Sequence, residues 1–146
     1  MKKLTLIALV VACTLTFVIQ AKTYQEKEAV REAAMDYIEA LYQVDSSRIA
    51  RSVHPNLTKH GFYREGNTDS YKPGMMTYQQ LYDLAGRWNK NGQVKPDAPK
   101  EVIVLDVLDQ TASVKVVAQW GIDYMHLAKY DGKWKIINVL WQSHPK

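Results

Sequence analysis

Apolar residues recur at Val30, Ala34, Tyr37, Ile38 and Leu41 with charged residues on the opposite side, the spacing of one amphipathic helix running from Glu26 to Val44. Asp45 can cap a second, shorter helix, which must stop near His54 because Pro55 disfavours helical geometry in the residue before it. Residues 59 to 64 read as a short strand, Glu65-Gly66-Asn67 as a turn, Thr68 to Tyr71 as a returning segment and Pro73-Gly74 as its break. Thr77 and Gln80 form a capping-box pair that opens a third helix, with Leu81, Leu84, Ala85 and Trp88 as its stripe and an end near Asn91-Gly92.

From residue 101 the apolar period changes from helical spacing to two. Four strands, EVIVLDVL, TASVKVVAQW, IDYMHLAKY and KWKIINVLW, are separated by Asp109-Gln110, Trp120-Gly121 and Asp131-Gly132, each able to serve as a two-residue hairpin loop. Asp-Gly is the strongest of these signals because it favours a type I′ turn. Three helices followed by an antiparallel meander predict one α+β domain, with the helices on one side of the sheet.

Counting outward from these turns assigns side chains to faces, since successive residues alternate. One face collects Val114, Val116, Ala118, Met125, Leu127, Ile136 and Leu140, together with Ile103, Leu105 and Val107, and includes two polar members, Asp123 and Asn138. A carboxylate in such surroundings is costly to ionise unless paired, so Asp123 is the candidate general base or ligand anchor, with Asn138 or Tyr37 as its hydrogen-bonding partner. A backbone amide or Arg64 could instead satisfy it structurally. Met125 shares the inner face, and Tyr37 and Trp88 sit at helical positions that can line the same cavity or simply fill the core. The other face carries Val102, Val104, Val117, Tyr124, Ile137, Val139 and Trp141, too apolar for a solvated surface. It predicts either a homodimer interface, with Tyr124, Ile137, Val139 and Trp141 at its centre, or a face covered by a helix of the same chain.

The beginning of the chain changes the picture of where this domain works. Lys2 and Lys3 precede an uncharged stretch from Leu4 to Ile19 that ends in Gln20-Ala21, the pattern of an export signal cleaved after residue 21, leaving a domain of residues 22–146. The alternative is a lipoprotein, because Val10-Val11-Ala12-Cys13 fits a lipobox that would acylate Cys13 and tether the domain to a membrane. Cleavage after Ala21 would remove the single cysteine and, with Lys2 and Lys3 lost, reduce 19 basic residues to 17 against 15 acidic, a net charge of +2 rather than +4. The remaining basic residues are interspersed with acidic ones, which argues against a nucleic-acid surface. His54, His60, His126 and His144 lack metal-ligand spacing, and no Ser-His-Asp motif, phosphate loop or Cys-His cluster is present, so neither a metal nor a cofactor is expected.

The segments AVREAAMDYIEALYQVD, SVHPNLTKHGF, MTYQQLYDLAGRW and DYMHLAKYDGKWKIINVLW resemble the nuclear transport factor 2-like superfamily and, within it, bacterial proteins labelled putative lumazine-binding. The resemblance implies a cone-shaped sheet wrapped around the first helix and open at one end to an apolar pocket. It also implies that the strand holding His60 and Tyr63 borders the pocket mouth, where alternation lets at most one of them face a ligand. Such a fold does not decide chemistry. The leading expectation is an exported, homodimeric domain that binds a small hydrophobic or planar molecule. A proton-transfer enzyme using Asp123, like a ketosteroid isomerase or a dehydratase, and an interaction module without a ligand are the alternatives.

Overall fold

A computed structural model describes the backbone of residues 2–66 and 68–145, with side chains from residue 20 onward. The reading of Lys2 to Ile19 as an export signal, and of Cys13 as a lipid anchor, therefore falls on side chains outside the described residues. The elements in order are α1 (Lys2–Tyr42), α2 (Ser46–Ser52), β1 (Val53–Tyr63), β2 (Lys72–Met76), α3 (Tyr78–Ala85), β3 (Lys100–Val107), β4 (Thr111–Ala118), β5 (Gly121–Tyr130) and β6 (Lys133–Gln142). The strands form one open sheet in the order β2-β1-β6-β5-β4-β3.

The inner stripe of α1 is the one the spacing predicts: Val30, Ala34, Tyr37, Ile38 and Leu41 are all buried against the sheet. Asp45 caps α2 by accepting from the Ser47 amide at 3.0 Å, and Thr77 and Gln80 make the reciprocal capping-box bonds of α3. Regular helix in α3 stops at Ala85, and the chain reaches Gly92 through turns, so Trp88 projects from a turn rather than from a helical stripe.

The expected four-strand meander, β3 to β6, is antiparallel throughout, and three features of β1 and β2 depart from the expected all-antiparallel sheet. The sheet is mixed, because β1 runs parallel to β6, from Val53 opposite Ile136 to Phe62 opposite Gln142. Pro55 falls in the irregular stretch between Val53 and Thr58, where the ladder shifts. Pro73-Gly74 lies inside β2 rather than ending it. β2 is the edge strand, and proline's missing amide is tolerated where no further strand needs it.

Two β-bulges then reverse faces that simple counting from the turns assigns the other way. Leu127 lies opposite Ile136 as expected, but the ladder shifts before His126, which meets Asn138, so that Met125 meets Val139 and Asp123 meets Trp141. The extra residue is Ile137. Beyond it Val139 and Trp141 turn inward, while Asn138 and Leu140 turn outward. On β3 the shift falls between Val104 and Asp106 and leaves Leu105 unpaired, so Val102 and Val104 pack on the core and Ile103 and Leu105 face out. The loop between β4 and β5 is Gln119-Trp120 rather than Trp120-Gly121, with Ala118 opposite Gly121. That correction moves the pairing by two residues and leaves every face unchanged, so Val114, Val116, Ala118, Asp123, Met125 and Leu127 are all buried inside.

Candidate functional site

The inner end of α1, the turn after α3 and the β4–β5 loop bring four aromatic rings together. Trp120 meets Tyr37, Tyr42 and Trp88 edge-on at centroid distances of 6.1, 5.8 and 5.6 Å, and Tyr42 stacks on Trp88 at 6.0 Å. The Tyr42 hydroxyl fixes this cluster to the chain by donating to the Pro99 carbonyl and accepting from the Gln119 amide, both at 2.8 Å. Across from it, Trp141 reaches in from β6 and stacks on Tyr63 at 6.5 Å. Its place depends on Gly61 of the neighbouring strand, where a β-carbon would collide with the Trp141 carbonyl and indole ring.

Between these walls lies a cavity of about 150 Å³. Tyr37 and Leu41 of α1, Leu81 and Leu84 of α3, Met76 of β2 and the rings of Trp88, Trp120 and Trp141 line it, and Lys59 of β1 is the one charged residue of that lining. Lys59 is 6% exposed. Its Nζ donates to the Tyr37 hydroxyl at 2.6 Å and lies 5.3 Å from the centre of the Tyr37 ring and 5.2 Å from that of Trp141. Asp123 stands behind it, fully buried and outside the cavity lining. Its Oδ2 accepts from the Trp120 indole nitrogen at 2.9 Å, while Oδ1 is 3.7 Å from Lys59 Nζ and has no hydrogen-bond donor among the described residues.

Loss of hydration sets the electrostatics of this group. Burial raises the Asp123 carboxyl above the ordinary carboxylate range, partly offset by Lys59 and by the Trp120 bond. Burial lowers the Lys59 ammonium, partly offset by Asp123. The Tyr37 phenol is pushed well up, first by burial and then by the Asp123 charge. The ion pair and its neutral form are thus brought closer in free energy than they would be in water, and the amine is the member exposed to the cavity.

The other expected site residues separate along the faces just described. Tyr37 and Trp88 line the cavity, and Tyr63 supports it through Trp141. Met125 is buried on the inner face without lining it. His60 points outward, opposite in face to Tyr63 as alternation requires. Asn138 is not in the pocket, because the bulge turns it out, where its Oδ1 lies 3.2 Å from His126 Nδ1 and its Nδ2 donates to Thr58 Oγ1 at 2.9 Å. Of the four proposed interface residues only Tyr124 is well exposed. Ile137 forms the bulge and is half-buried, Val139 is in the core, and Trp141 is part of the cavity wall. Arg64 does not pair with Asp123; it donates to the His144 carbonyl and covers the Tyr71 ring at 5.4 Å. Among the described residues no three His, Cys, Asp or Glu side chains gather as a metal site.

Lys59, the charged residue of the cavity lining, is not among the residues the sequence singles out. The signal available was its place two residues before Gly61 and four before Tyr63, on the inward face of a strand whose outward positions also carry polar residues.

A six-stranded mixed sheet packed on a long helix, with an apolar cavity between them, defines an α+β cone. The chain belongs to the family described as putative lumazine-binding, whose profile matches residues 25–142. It is 26% identical over 130 residues to a protein named Aldolase FrzH from Cladobotryum sp., covering 85% of this chain and 96% of that protein. Its fold is that of NTF2-like proteins. One, of unknown function, from Shewanella baltica OS155 superposes with a TM-score of 0.62 at 20% identity, covering 84% of this chain and 97% of the other. A putative scytalone dehydratase from Novosphingobium aromaticivorans DSM 12444 superposes with a TM-score of 0.58 at 12% identity, covering 86% of this chain and 89% of the other.

Proposed function

We propose that this chain is an exported domain that binds a small, largely apolar molecule in the cavity between Trp88, Trp120 and Trp141. The observation that carries this reading is a single buried amine, Lys59, set in an otherwise uncharged wall. Such a site selects a molecule with one flat apolar body and one polar group, the body on the indoles and the polar atom on Nζ and the Tyr37 hydroxyl. An apolar volume of about 150 Å³ is enough to hold a single benzene ring. Native mass spectrometry of protein purified from its own host should find one retained small molecule, and Lys59→Arg, which fills the space beside the amine, should lose it. Wild-type protein free of any retained mass, and indifferent to added single-ring compounds, would contradict the reading.

Catalysis is the second reading, and the grouping of Lys59, Tyr37 and Asp123 favours it. Three titratable groups displaced by burial beside a cavity are a common arrangement for proton transfer. In this version the group nearest the substrate is Lys59, with Asp123 acting through it. Likeness to a protein named an aldolase supports chemistry next to a carbonyl, as against phosphate or glycosidic chemistry.

A further inference from the structure

We infer that Lys59 is an imine-forming amine, and that the molecule taken by this pocket is a small aldehyde or ketone held covalently on its Nζ. This deepens the catalytic reading of the cavity and rests on it. Lys59 is the only nucleophilic amine in the lining, its Nζ touches the Tyr37 hydroxyl at 2.6 Å, and the buried Asp123 carboxylate lies 3.7 Å behind it with one oxygen lacking a hydrogen-bond donor. An ammonium is not a nucleophile, so the site must remove a proton before the amine can attack, and desolvation in an apolar pocket is a recognised way to do so.

The surroundings allow the step to balance. The Lys59 ammonium passes one proton to the Asp123 carboxylate. The free amine then adds to the carbonyl carbon, forming the C–N bond as the carbonyl electron pair moves onto oxygen, which takes the second ammonium-derived proton and becomes a hydroxyl. The Asp123 carboxyl returns its proton to that hydroxyl, the C–O bond breaks and water leaves. The product is an iminium cation beside a carboxylate, so the charge of the pair is the same before and after. An iminium draws electrons from the adjacent carbon, whose C–H or C–C bond is then the one activated.

The titratable groups facing Lys59 are Tyr37 from α1 and Asp123 from β5. The side chains presented by β2, α3 and β6 are Met76, Leu81, Leu84 and Trp141, all uncharged. Burial lowers the Lys59 pKa below the free-lysine value of about 10.4, so near neutral pH more of this amine is in the reactive neutral form than for a lysine in water.

The test uses the whole chain with benzaldehyde and cyanoborohydride near neutral pH, followed by proteolysis and mass mapping, and benzyl alcohol as a ring of the same size without a carbonyl. Expected are one benzyl group on Lys59, protection by excess benzyl alcohol, and a tryptophan fluorescence change on adding benzyl alcohol alone. Asp123→Asn removes the charge that favours the ammonium, so the pH midpoint of labelling should move down; an unmoved midpoint would overturn the part given to Asp123. If benzyl alcohol binds but label is absent from Lys59, or is spread over exposed lysines such as Lys133, the imine inference fails and the binding reading stands. If benzyl alcohol does not bind and Lys59 is not labelled, both fail together. Lys59→Arg, which keeps a cation opposite Asp123, should abolish the single adduct.

Discussion

Lys59 and Asp123 lose hydration together, and their attraction at 3.7 Å returns only part of it, so the pair is better understood as a site feature than as a source of stability. Removing one member should cost more than removing both. Lys59→Met leaves the buried carboxylate without its countercharge, held only by the Trp120 indole, and should lower stability near neutral pH by about 3–5 kcal/mol, whereas Lys59→Met combined with Asp123→Asn should recover most of that. In the single variant the Asp123 pKa, already raised by burial, loses the charge that held it down. The folded state then keeps a proton that the unfolded chain gives up above about pH 3.9, so stability is full below that value and falls as pH rises through the folded pKa. Urea unfolding at about pH 4 and about pH 7 should therefore show the larger loss at the higher pH. An equal loss at both would mean the carboxylate finds another partner.

Trp141 forms a wall of the cavity because two local features of β6 and β1 act together. The bulge at Ile137 turns the end of β6 over, and Gly61 leaves room for the indole to lie against the next strand. Gly61→Ala should push Trp141 outward, lower stability by about 1–3 kcal/mol and shift tryptophan emission to the red as the ring meets water. Unchanged emission with unchanged stability would show that the strand absorbs the methyl group. The same elements show what could be read from the chain. The α1 stripe, the caps of α2 and α3, and the inner faces of β4 and β5 follow from spacing and turn chemistry within a few residues. Ile137 and Leu105 carry no local mark of a bulge, being ordinary β-formers in ordinary strand sequence, and each reverses everything beyond it. The pairing of Lys59 with Asp123 joins strands β1 and β5, far apart in the chain, through contacts that neither neighbourhood encodes.

Across the outside of the molecule the registers align Met75, His60, Leu140, Tyr124, Lys115 and Ile103 into one row spanning all six strands. Met75, Leu140 and Tyr124 are 72%, 52% and 49% exposed, so the row is an apolar band broken by His60 and Lys115. None of the described helices covers it, and a two-fold pairing of sheets through this band is the arrangement that would. Light scattering should then give a dimer for the wild type and a monomer for Tyr124→Glu with Leu140→Glu. A wild type that stays monomeric at high concentration would contradict pairing. Charged substitutions at Val139 or Trp141 should unfold the domain rather than split it, since both are turned inward.

The measurement that bears most directly on the site is the titration of Lys59 itself, followed by carbon-13 NMR of the lysine ε-carbons, with the Lys59 signal identified by its absence in Lys59→Arg. A buried amine facing the cavity should titrate below the ordinary lysine value of about 10.4, and its signal should move when benzyl alcohol fills the space beside it. A Lys59 that titrates at or above that value and ignores the added ring would contradict the assignment of this cavity as the functional centre of the protein.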